Sequence, residues 1–225
     1  MRLSVVVPAL DEARQIQATL ASARQPGVAE VIVVDGGSVD RTRALAEPRA
    51  DRVVVAPRGR ARQMNAGAAL ATGDVLLFLH ADTRLPPDAA AAVAAALVDP
   101  AVVGGRFDVR LEPSSPLLRL TADLMNRRSR LTGIATGDQA IFVRRAVFTA
   151  LGGFPDLPLM EDVAFSRALK RAGRTAALRA QVTTSSRRWR QGGVVRTVLR
   201  MWTLRLLFLL GMPAHRLARW YGPGR

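Results

Sequence analysis

Cysteine is absent from this chain of 225 residues, and lysine occurs only at Lys170. Without cysteine, no disulfide framework and no thiolate-ligated metal site can form. The most apolar stretch of the C-terminal part, Leu206–Met212, is far shorter than the ~20 residues of a membrane-spanning helix, and arginines interrupt its extension. The first residues form a strand-like run without a signal-peptide pattern. We therefore expect a cytoplasmic protein.

The chain has an excess of positive charge, with a formal net charge of +15 that arginine supplies almost alone. A basic surface attracts nucleic acid, anionic lipid headgroups or phosphorylated small molecules, and it can also be merely solvated. Charge alone does not choose among these. Apolar residues make up 49% of the chain, which predicts a packed globular protein.

The first half alternates between short aliphatic runs and helix-like stretches. The predicted strands are Leu3–Val7, Val31–Val34, Val53–Ala56 and Val75–Leu79, and the predicted helices are Glu12–Arg24, Asp40–Ala46, Arg60–Ala71 and Asp88–Leu97. This order is typical of an α/β protein whose central sheet is mainly parallel and is covered by helices on both faces.

The second half is less regular. We predict strands at Val102–Leu111 and Ala140–Val143, and helices at Ser114–Leu131, Arg145–Leu151 and Glu161–Ala172. Residues 1–190 are predicted to form one domain and residues 191–225 an amphipathic helical tail. The tail, rich in arginine, leucine and tryptophan, suits three roles: a helix at a membrane interface, a helix packed on the domain, or a contact in a homodimer.

Polar residues follow each of the first four predicted strands. Since ligands bind at the carboxyl ends of parallel strands, these residues should meet at one edge of the sheet. Asp35, at the end of the second strand, can accept hydrogen bonds from a nucleobase or ribose. Arg58, Arg60 and Arg62 after the third strand suit phosphates, and His80 with Asp82 after the fourth could reach a divalent metal.

Two further acidic segments lie in the second half. Glu161 and Asp162 begin a predicted helix, where acidic residues favour the helix dipole, and one of them could act as a general base. Asp138, before the predicted strand Ala140–Val143, could shape an acceptor pocket.

Taken in order, these pieces resemble the family-2 glycosyltransferases of GT-A fold, and more narrowly a small bacterial subgroup, transferase 2, associated with radical-SAM and selenium-domain proteins. The matching segments are 5–12, 33–40, 59–67, 79–82, 152–155 and 161–162.

The resemblance implies an inverting transfer from a nucleoside-diphosphate sugar, UDP- or GDP-linked, assisted by Mn²⁺ or Mg²⁺. Residues 1–100 would be the nucleotide-binding half and 101–190 the acceptor-binding half. It implies donor-binding roles for Pro8, Ala9, Glu12, Asp35, Gly37, Arg60 and Arg62. It implies a metal at Asp82 with His80, and a catalytic base at Asp162 with Glu161 beside it. We assign Gly105, Asp138, Gln139, Arg188 and Trp189 to the acceptor pocket.

Position 80 is His where many members of the family have Asp, so the metal site is differently built. Ser185 stands where processive members carry Gln or Arg before an Arg-Trp pair, here Arg188-Trp189, and this disfavours processive synthesis. From the tail we expect a lipid or carotenoid-like acceptor and a location at the inner face of the cell membrane.

Two other functions stay open at this point. A nucleotidyltransferase would favour a glycine-rich, lysine-containing loop after the first strand, where this chain has residues 9–12. A nucleic-acid-binding protein would suit the basic charge. However, no helix-turn-helix, aromatic RNA platform or zinc pattern occurs, and acidic residues in the cleft would repel phosphate, so we expect no nucleic-acid partner.

Overall fold

The computed structural model describes residues 1–221. The strands are β1 Leu3–Ala9, β2 Val28–Asp35, β3 Arg52–Val55, β4 Val75–Phe78, β5 Thr83–Arg84, β6 Val102–Glu112, β7 Ile141–Arg144 and β8 Arg174–Ser185. The helices are α1 Ile16–Ala23, α2 Thr42–Ala46, α3 Arg60–Leu70, α4 Ala89–Ala96, α5 Pro116–Thr132, α6 Arg145–Ala150, α7 Glu161–Ala172, α8 Arg187–Gly192, α9 Val194–Leu209 and α10 Ala214–Tyr221. A short 3-10 turn spans Gly137–Gln139.

One mixed sheet forms the centre of the molecule, with strand order β3-β2-β1-β4-β7-β6-β8-β5. Strands β3, β2, β1 and β4 run parallel to one another. Strand β7 is antiparallel to both β4 and β6, while β6 and β8 are parallel and β5 closes the edge antiparallel to β8. The predicted α/β class is confirmed, and the parallel arrangement holds for the first half of the sheet.

The strands of the first half are apolar throughout because helices cover both faces of the sheet. Alternate residues of β1 therefore belong to different cores. Val5 and Val7 pack with α1, α4 and α5 on one face, and Val6 packs with α3, α6 and α7 on the other. Gly67 lets α3 lie close to the sheet, since a methyl group there would be 2.4 Å from a Val6 side-chain carbon.

Strand β8 was not predicted from the sequence. Its residues are mostly half-buried, and they lack the aliphatic runs that mark the earlier strands. It forms because β6 offers an edge along nearly its whole length, from Val102 to Glu112. Strand β8 then leads directly to α8.

The predicted tail, residues 191–225, is described as far as residue 221, and it comprises the end of α8 together with α9 and α10, which pack on the domain. Leu204 of α9 and Leu217 of α10 are buried against Leu159, Met160 and Val163, at and just before the start of α7. Within residues 1–221, no helix is both long enough and apolar enough to cross a bilayer. The tail helices thereby form a wall beside the carboxyl ends of β1 and β4.

Candidate active site

A cavity of about 480 Å³ lies between the ends of β1 and β4 and the helices α5, α8, α9 and α10, a volume in the usual range for small-molecule sites. Its sheet side and its helical side differ in chemistry. The sheet side comprises Pro8, Ala9, Leu10, Glu12, Arg60, Gln63, His80, Ala81, Asp82, Asp138, Thr184 and Ser185. The helical side includes Thr121, Leu124, Met125, Arg128, Arg187, Arg188, Trp189, Val198, Arg200, Met201, Trp202, Arg205 and Tyr221.

Of the residues expected to bind the nucleotide, Pro8, Ala9, Glu12 and Arg60 line this cavity, and Arg62 does not. Arg62 points to the surface, where its guanidinium donates to both carboxylate oxygens of Asp156 at 3.0 Å. Glu12 accepts a hydrogen bond from the guanidinium of Arg187 at 2.6 Å, so α8 is tied to the loop after β1.

Asp35 and Gly37 also lie outside the cavity lining. The carboxylate of Asp35 is buried and accepts hydrogen bonds from the backbone N–H groups of Gly37 and Ser38, both at 3.0 Å. Gly37 has a φ of 89°, in the left-handed region that favours glycine. Asp35 therefore shapes its own loop.

The loops after β1 and β2 interlock through side chains. The backbone N–H of Asp11 donates to the Ser38 hydroxyl at 2.9 Å, and that of Glu12 donates to the Thr42 hydroxyl at 2.7 Å. In return, the N–H of Val39 donates to the Asp11 carboxylate at 2.9 Å. Asp11 thus contacts the neighbouring loop, and α1 begins only at Ile16.

Gln63 is a site residue that the sequence analysis did not single out. Its buried side-chain amide donates to the carbonyls of Ala9 and Val34, each at 2.8 Å, and so joins the ends of β1 and β2. A glutamine three residues after the start of α3 could be noticed in the sequence, but its targets are set only by how α3 packs.

Charged side chains from three segments meet beside Arg60. The guanidinium of Arg60 lies 3.9 Å from the carboxylate of Glu161. Burial lowers the pKa of Arg60, but the negative charges of Glu161, Asp138, Asp162 and Asp82 outweigh it and raise that pKa. This arginine is therefore the positive centre of an otherwise acidic cluster.

Asp138 is held in this cluster as a carboxylate. Its Oδ1 lies 3.3 Å from the Nδ1 of His80. Partial burial raises the pKa of Asp138, but the hydrogen bond with His80 and the charges of His80, Arg60 and Arg188 lower it to about 2. Asp138 is ionised throughout the physiological range.

The two candidate bases have different surroundings. Glu161 is only 4% exposed, and burial together with the adjacent charge of Asp162 raises its pKa. Asp162 is half-buried, and its carboxylate oxygens accept from the backbone N–H groups of Gly137 at 2.8 Å and Val163 at 2.7 Å. Asp162 thereby connects the start of α7 to the 3-10 turn that carries Asp138.

The two expected metal ligands, His80 and Asp82, have different surroundings. Asp82 lines the cavity, whereas both ring nitrogens of His80 face the 3-10 turn: Nδ1 lies beside Asp138, and Nε2 lies 2.3 Å from where a methyl group on Gly137 would stand. Among residues 1–221, no three His, Asp or Glu side chains come together as a ready-made metal site. Asp82 and Asp138 are the two aspartates at the cavity, and a hard cation on a diphosphate needs only one or two protein carboxylates.

Arg188 and Trp189 line the helical side of the cavity, as expected for acceptor residues. The guanidinium carbon of Arg188 lies 4.8 Å from the ring centre of Tyr221, which brings the end of α10 to the cavity. Gly105 and Gln139 lie elsewhere: Gly105 sits within the sheet against the Ala176 carbonyl, and Gln139 is fully buried.

Comparison with known proteins identifies the family. The family model described as glycosyl transferase family 2 matches residues 4–150, which is more than half of the chain. The chain therefore belongs to glycosyl transferase family 2.

Similar curated proteins are PGL/p-HBAD biosynthesis glycosyltransferases of Mycobacterium bovis BCG and Mycobacterium tuberculosis. Each is 41% identical over 173 residues, covering 67% of this chain. The chain spans only 62% of the length of these relatives.

Two solved structures with the same fold are similar to this one at low sequence identity. S. aureus TarS (residues 1–349) has a TM-score of 0.66 at 19% identity and covers 92% of this chain and 66% of its own. Glucosyl-3-phosphoglycerate synthase from M. tuberculosis has a TM-score of 0.57 at 20% identity and covers 80% of this chain and 70% of its own. The fold is accordingly the GT-A type expected from the sequence.

The depressed pKa of Asp138 predicts a specific pH dependence of stability. Stabilisation by the charged carboxylate is fully present above the ordinary pKa near 3.8 and is lost as the pH falls towards about 2. Asp138→Asn should therefore destabilise the protein more at pH 6 than at pH 2.5, as measured by urea unfolding. Asp123→Asn, at an exposed position on α5, is the control and should show little change at either pH. An equal loss for Asp138→Asn at both pH values would contradict the ion-pair assignment.

Proposed function

We propose that the chain transfers a sugar from a UDP- or GDP-linked donor to an acceptor hydroxyl group, with inversion at the anomeric carbon. The observation that carries this proposal is one cavity that brings together the β1 loop, Arg60, Asp82 and Asp138. Glu161 and Asp162 lie outside the cavity lining and interact with Arg60 by charge. Residues 9–12, at the end of β1 and in the loop that follows, do not form the glycine- and lysine-rich loop of a nucleotidyltransferase.

Two comparisons support the donor class. The chain belongs to glycosyl transferase family 2, and TarS and the M. tuberculosis synthase were solved in complex with UDP-GlcNAc and with UDP, respectively. Placement in the radical-SAM-associated subgroup is part of the same proposal.

The donor binds at the sheet side of the cavity in this proposal. Pro8, Ala9 and Glu12 contact the nucleoside, and Gln63 keeps the ends of β1 and β2 in place beneath it. Asp35 supports this surface through the interlocked loops. Arg60 faces the diphosphate, where a positive charge stabilises the leaving group as its negative charge develops.

A divalent cation, Mn²⁺ or Mg²⁺, would supply further charge compensation on the departing diphosphate. Asp82, with Asp138 as the other aspartate at the cavity, would hold it. His80 instead fixes Asp138 through their contact at 3.3 Å. The M. tuberculosis synthase was solved with Mn²⁺ and UDP, which supports the kind of cofactor.

Asp162 is the proposed general base. It is half-buried and adjoins the turn that carries Asp138, whereas Glu161 is buried against Arg60. The acceptor oxygen attacks the anomeric carbon, its proton passes to Asp162, and the bond from that carbon to the diphosphate oxygen breaks with the electron pair leaving on the nucleotide. Glu161, with its raised pKa, sets the electrostatic surroundings of Asp162.

Substitution of the base tests this division of roles. Asp162→Asn should lower transfer by about 10²- to 10⁴-fold, the usual contribution of a general base, while the affinity for UDP or GDP stays within about twofold. Glu161→Gln is the matched comparison and should reduce transfer less. Sugar transfer and nucleotide binding would be followed separately, by product analysis and calorimetry. A fully active Asp162→Asn variant would rule Asp162 out as the base.

The metal role of Asp82 is tested by nucleotide binding. Asp82→Ala should remove the gain in UDP or GDP affinity that Mn²⁺ produces, because the cation loses its protein carboxylate. Thermal shifts with UDP, GDP and duplex DNA, each with and without Mn²⁺, would measure this in wild type and variant. Retention of the full Mn²⁺ effect would refute the role of Asp82. Stabilisation of wild type by DNA alone would refute the enzyme proposal.

We also propose that α9 contacts an anionic membrane surface, as suits a lipid acceptor. Val195, Leu199, Trp202, Leu206 and Leu209 follow one another at helical spacing, and each is more than half exposed. The charged side chains of α9 itself are all arginines, Arg196, Arg200 and Arg205. Such a face complements anionic headgroups.

Vesicle sedimentation tests this surface. The wild-type chain should bind phosphatidylglycerol vesicles and bind phosphatidylcholine vesicles only weakly. The triple variant Leu199→Ser, Leu206→Ser, Leu209→Ser should bind phosphatidylglycerol at least about tenfold less, because apolar burial is lost. Val39→Ser with Val98→Ser, both exposed in other loops, is the control. Unchanged binding by the triple variant would show that α9 is not the contact, and size-exclusion chromatography would then test it as a dimer surface.

A further inference from the structure

Two arginines in the helical wall of the cavity have buried nitrogen atoms without partners. Among residues 1–221, the Nε and Nη2 of Arg128 and the Nε of Arg205 are buried and make no hydrogen bond within the protein. Both side chains line the cavity. A buried charged donor without an acceptor is costly, so a ligand that offers acceptor oxygens would be bound strongly there.

Arg128 reaches the cavity from α5, whereas Arg60, the arginine of the proposed donor side, reaches it from α3. Both arginines interact with Asp162 and Asp138, and only Arg60 also interacts with Asp82 and Glu161 among the influences on its pKa. Burial is the main influence on Arg128 and lowers its pKa, because neither carboxylate forms a close ion pair with it. Arg128 thus interacts with the proposed base Asp162, near which an acceptor must place its hydroxyl group.

Apolar side chains adjoin these arginines on both helices. Leu124 and Met125 precede Arg128 on α5, and Val198, Met201 and Trp202 precede Arg205 on α9. The charged donors are therefore set into a hydrophobic surface. A purely hydrophilic acceptor would leave this surface uncovered, and a purely apolar one would leave the buried guanidinium groups unpaired.

We propose that Arg128 and Arg205 bind an anionic group, phosphate or carboxylate, of an amphiphilic acceptor whose apolar part lies between α5 and α9. This inference rests on the proposed function, since the base defines which side belongs to the acceptor. It narrows the acceptor from a lipid-like molecule in general to one that carries a negative charge near its reacting hydroxyl. The apolar stripe on α9 continues from the same helix to the proposed membrane contact.

Binding of simple amphiphiles to the full chain tests the proposal. The probes are n-decyl phosphate, decanoate, n-decyl glucoside and inorganic phosphate, used below their micelle concentrations with calorimetry. Wild type should bind at least one of the anionic decyl probes more tightly than both decyl glucoside and inorganic phosphate. Arg128→Gln and Arg205→Gln should each weaken that binding about 10- to 100-fold, the value of a charge-assisted hydrogen bond. Their melting temperatures should not fall, because no internal partner is lost.

Controls separate this subsite from other sites. Arg127→Gln removes the same charge from an exposed position next to Arg128 and should bind the probe as wild type does. The triple serine variant of α9 should also retain binding, because its substitutions lie outside the cavity lining. UDP and GDP affinity should be unchanged in Arg128→Gln.

The outcomes are distinct. Equal affinity for the anionic and uncharged decyl probes, or equal losses in Arg127→Gln and Arg128→Gln, would overturn the anion subsite. Loss of UDP or GDP affinity in Arg128→Gln, with decyl phosphate binding intact, would assign Arg128 to the donor diphosphate and also overturn it. If wild type bound neither nucleotide, the proposed function would fail, and the decyl probes would still decide whether these arginines form an anion subsite.

Discussion

The interaction on which the site depends is that of one guanidinium, Arg60, with four carboxylates that come from different parts of the chain. Asp82 follows β4, Asp138 lies in the 3-10 turn, and Glu161 and Asp162 begin α7. Gathered without a cation, these groups would repel one another in a partly buried setting. Arg60 offsets that repulsion. The hydrogen bond with His80 is the chief cause of the lowered pKa of Asp138, whereas burial and the charge of Asp162 raise the pKa of Glu161.

The cavity has two walls of different origin. The sheet wall is built from residues within 4–150, the segment that matches the family model. The wall formed by α8, α9 and α10 comes from later residues, and it contributes arginines, tryptophans and Tyr221. In the proposed function the donor lies against the sheet wall. The proposed acceptor subsite spans both parts, because Arg128 of α5 lies within the matched segment and Arg205 of α9 lies outside it.

Much of the first half was predictable because its signals are local. Aliphatic runs bounded by turn residues predict strands, and the parallel arrangement brings their carboxyl ends to one edge. The structure places six of the predicted residues at that edge or beside it: Pro8, Ala9, Glu12, Arg60, His80 and Asp82.

The strands of the second half were harder to predict from the sequence. Strand β8 has no aliphatic run, because its pairing with β6 supplies backbone hydrogen bonds without demanding a fully buried side-chain pattern.

Particular residues show where local reasoning ended. Asp35 and Arg62 have the expected charges, but both are engaged elsewhere. Asp35 accepts hydrogen bonds from the backbone of its own loop, and Arg62 donates to Asp156 at the surface. Gln63 and Arg128 gave no motif, because a lone glutamine or arginine on a helix is commonplace. Their importance comes from where their helices pack.

By itself, the sequence determined the α/β class, the order of the early strands and the chemical types gathered at the strand ends. The spacing of apolar residues and the positions of turn residues depend only on residues close together in sequence, so they can be recognised along the chain. Only the tertiary structure decided which carboxylates share Arg60, that His80 faces Asp138, and that the tail forms the second wall of the cavity. Those outcomes depend on contacts between residues far apart in sequence, and packing of whole helices against the sheet establishes them.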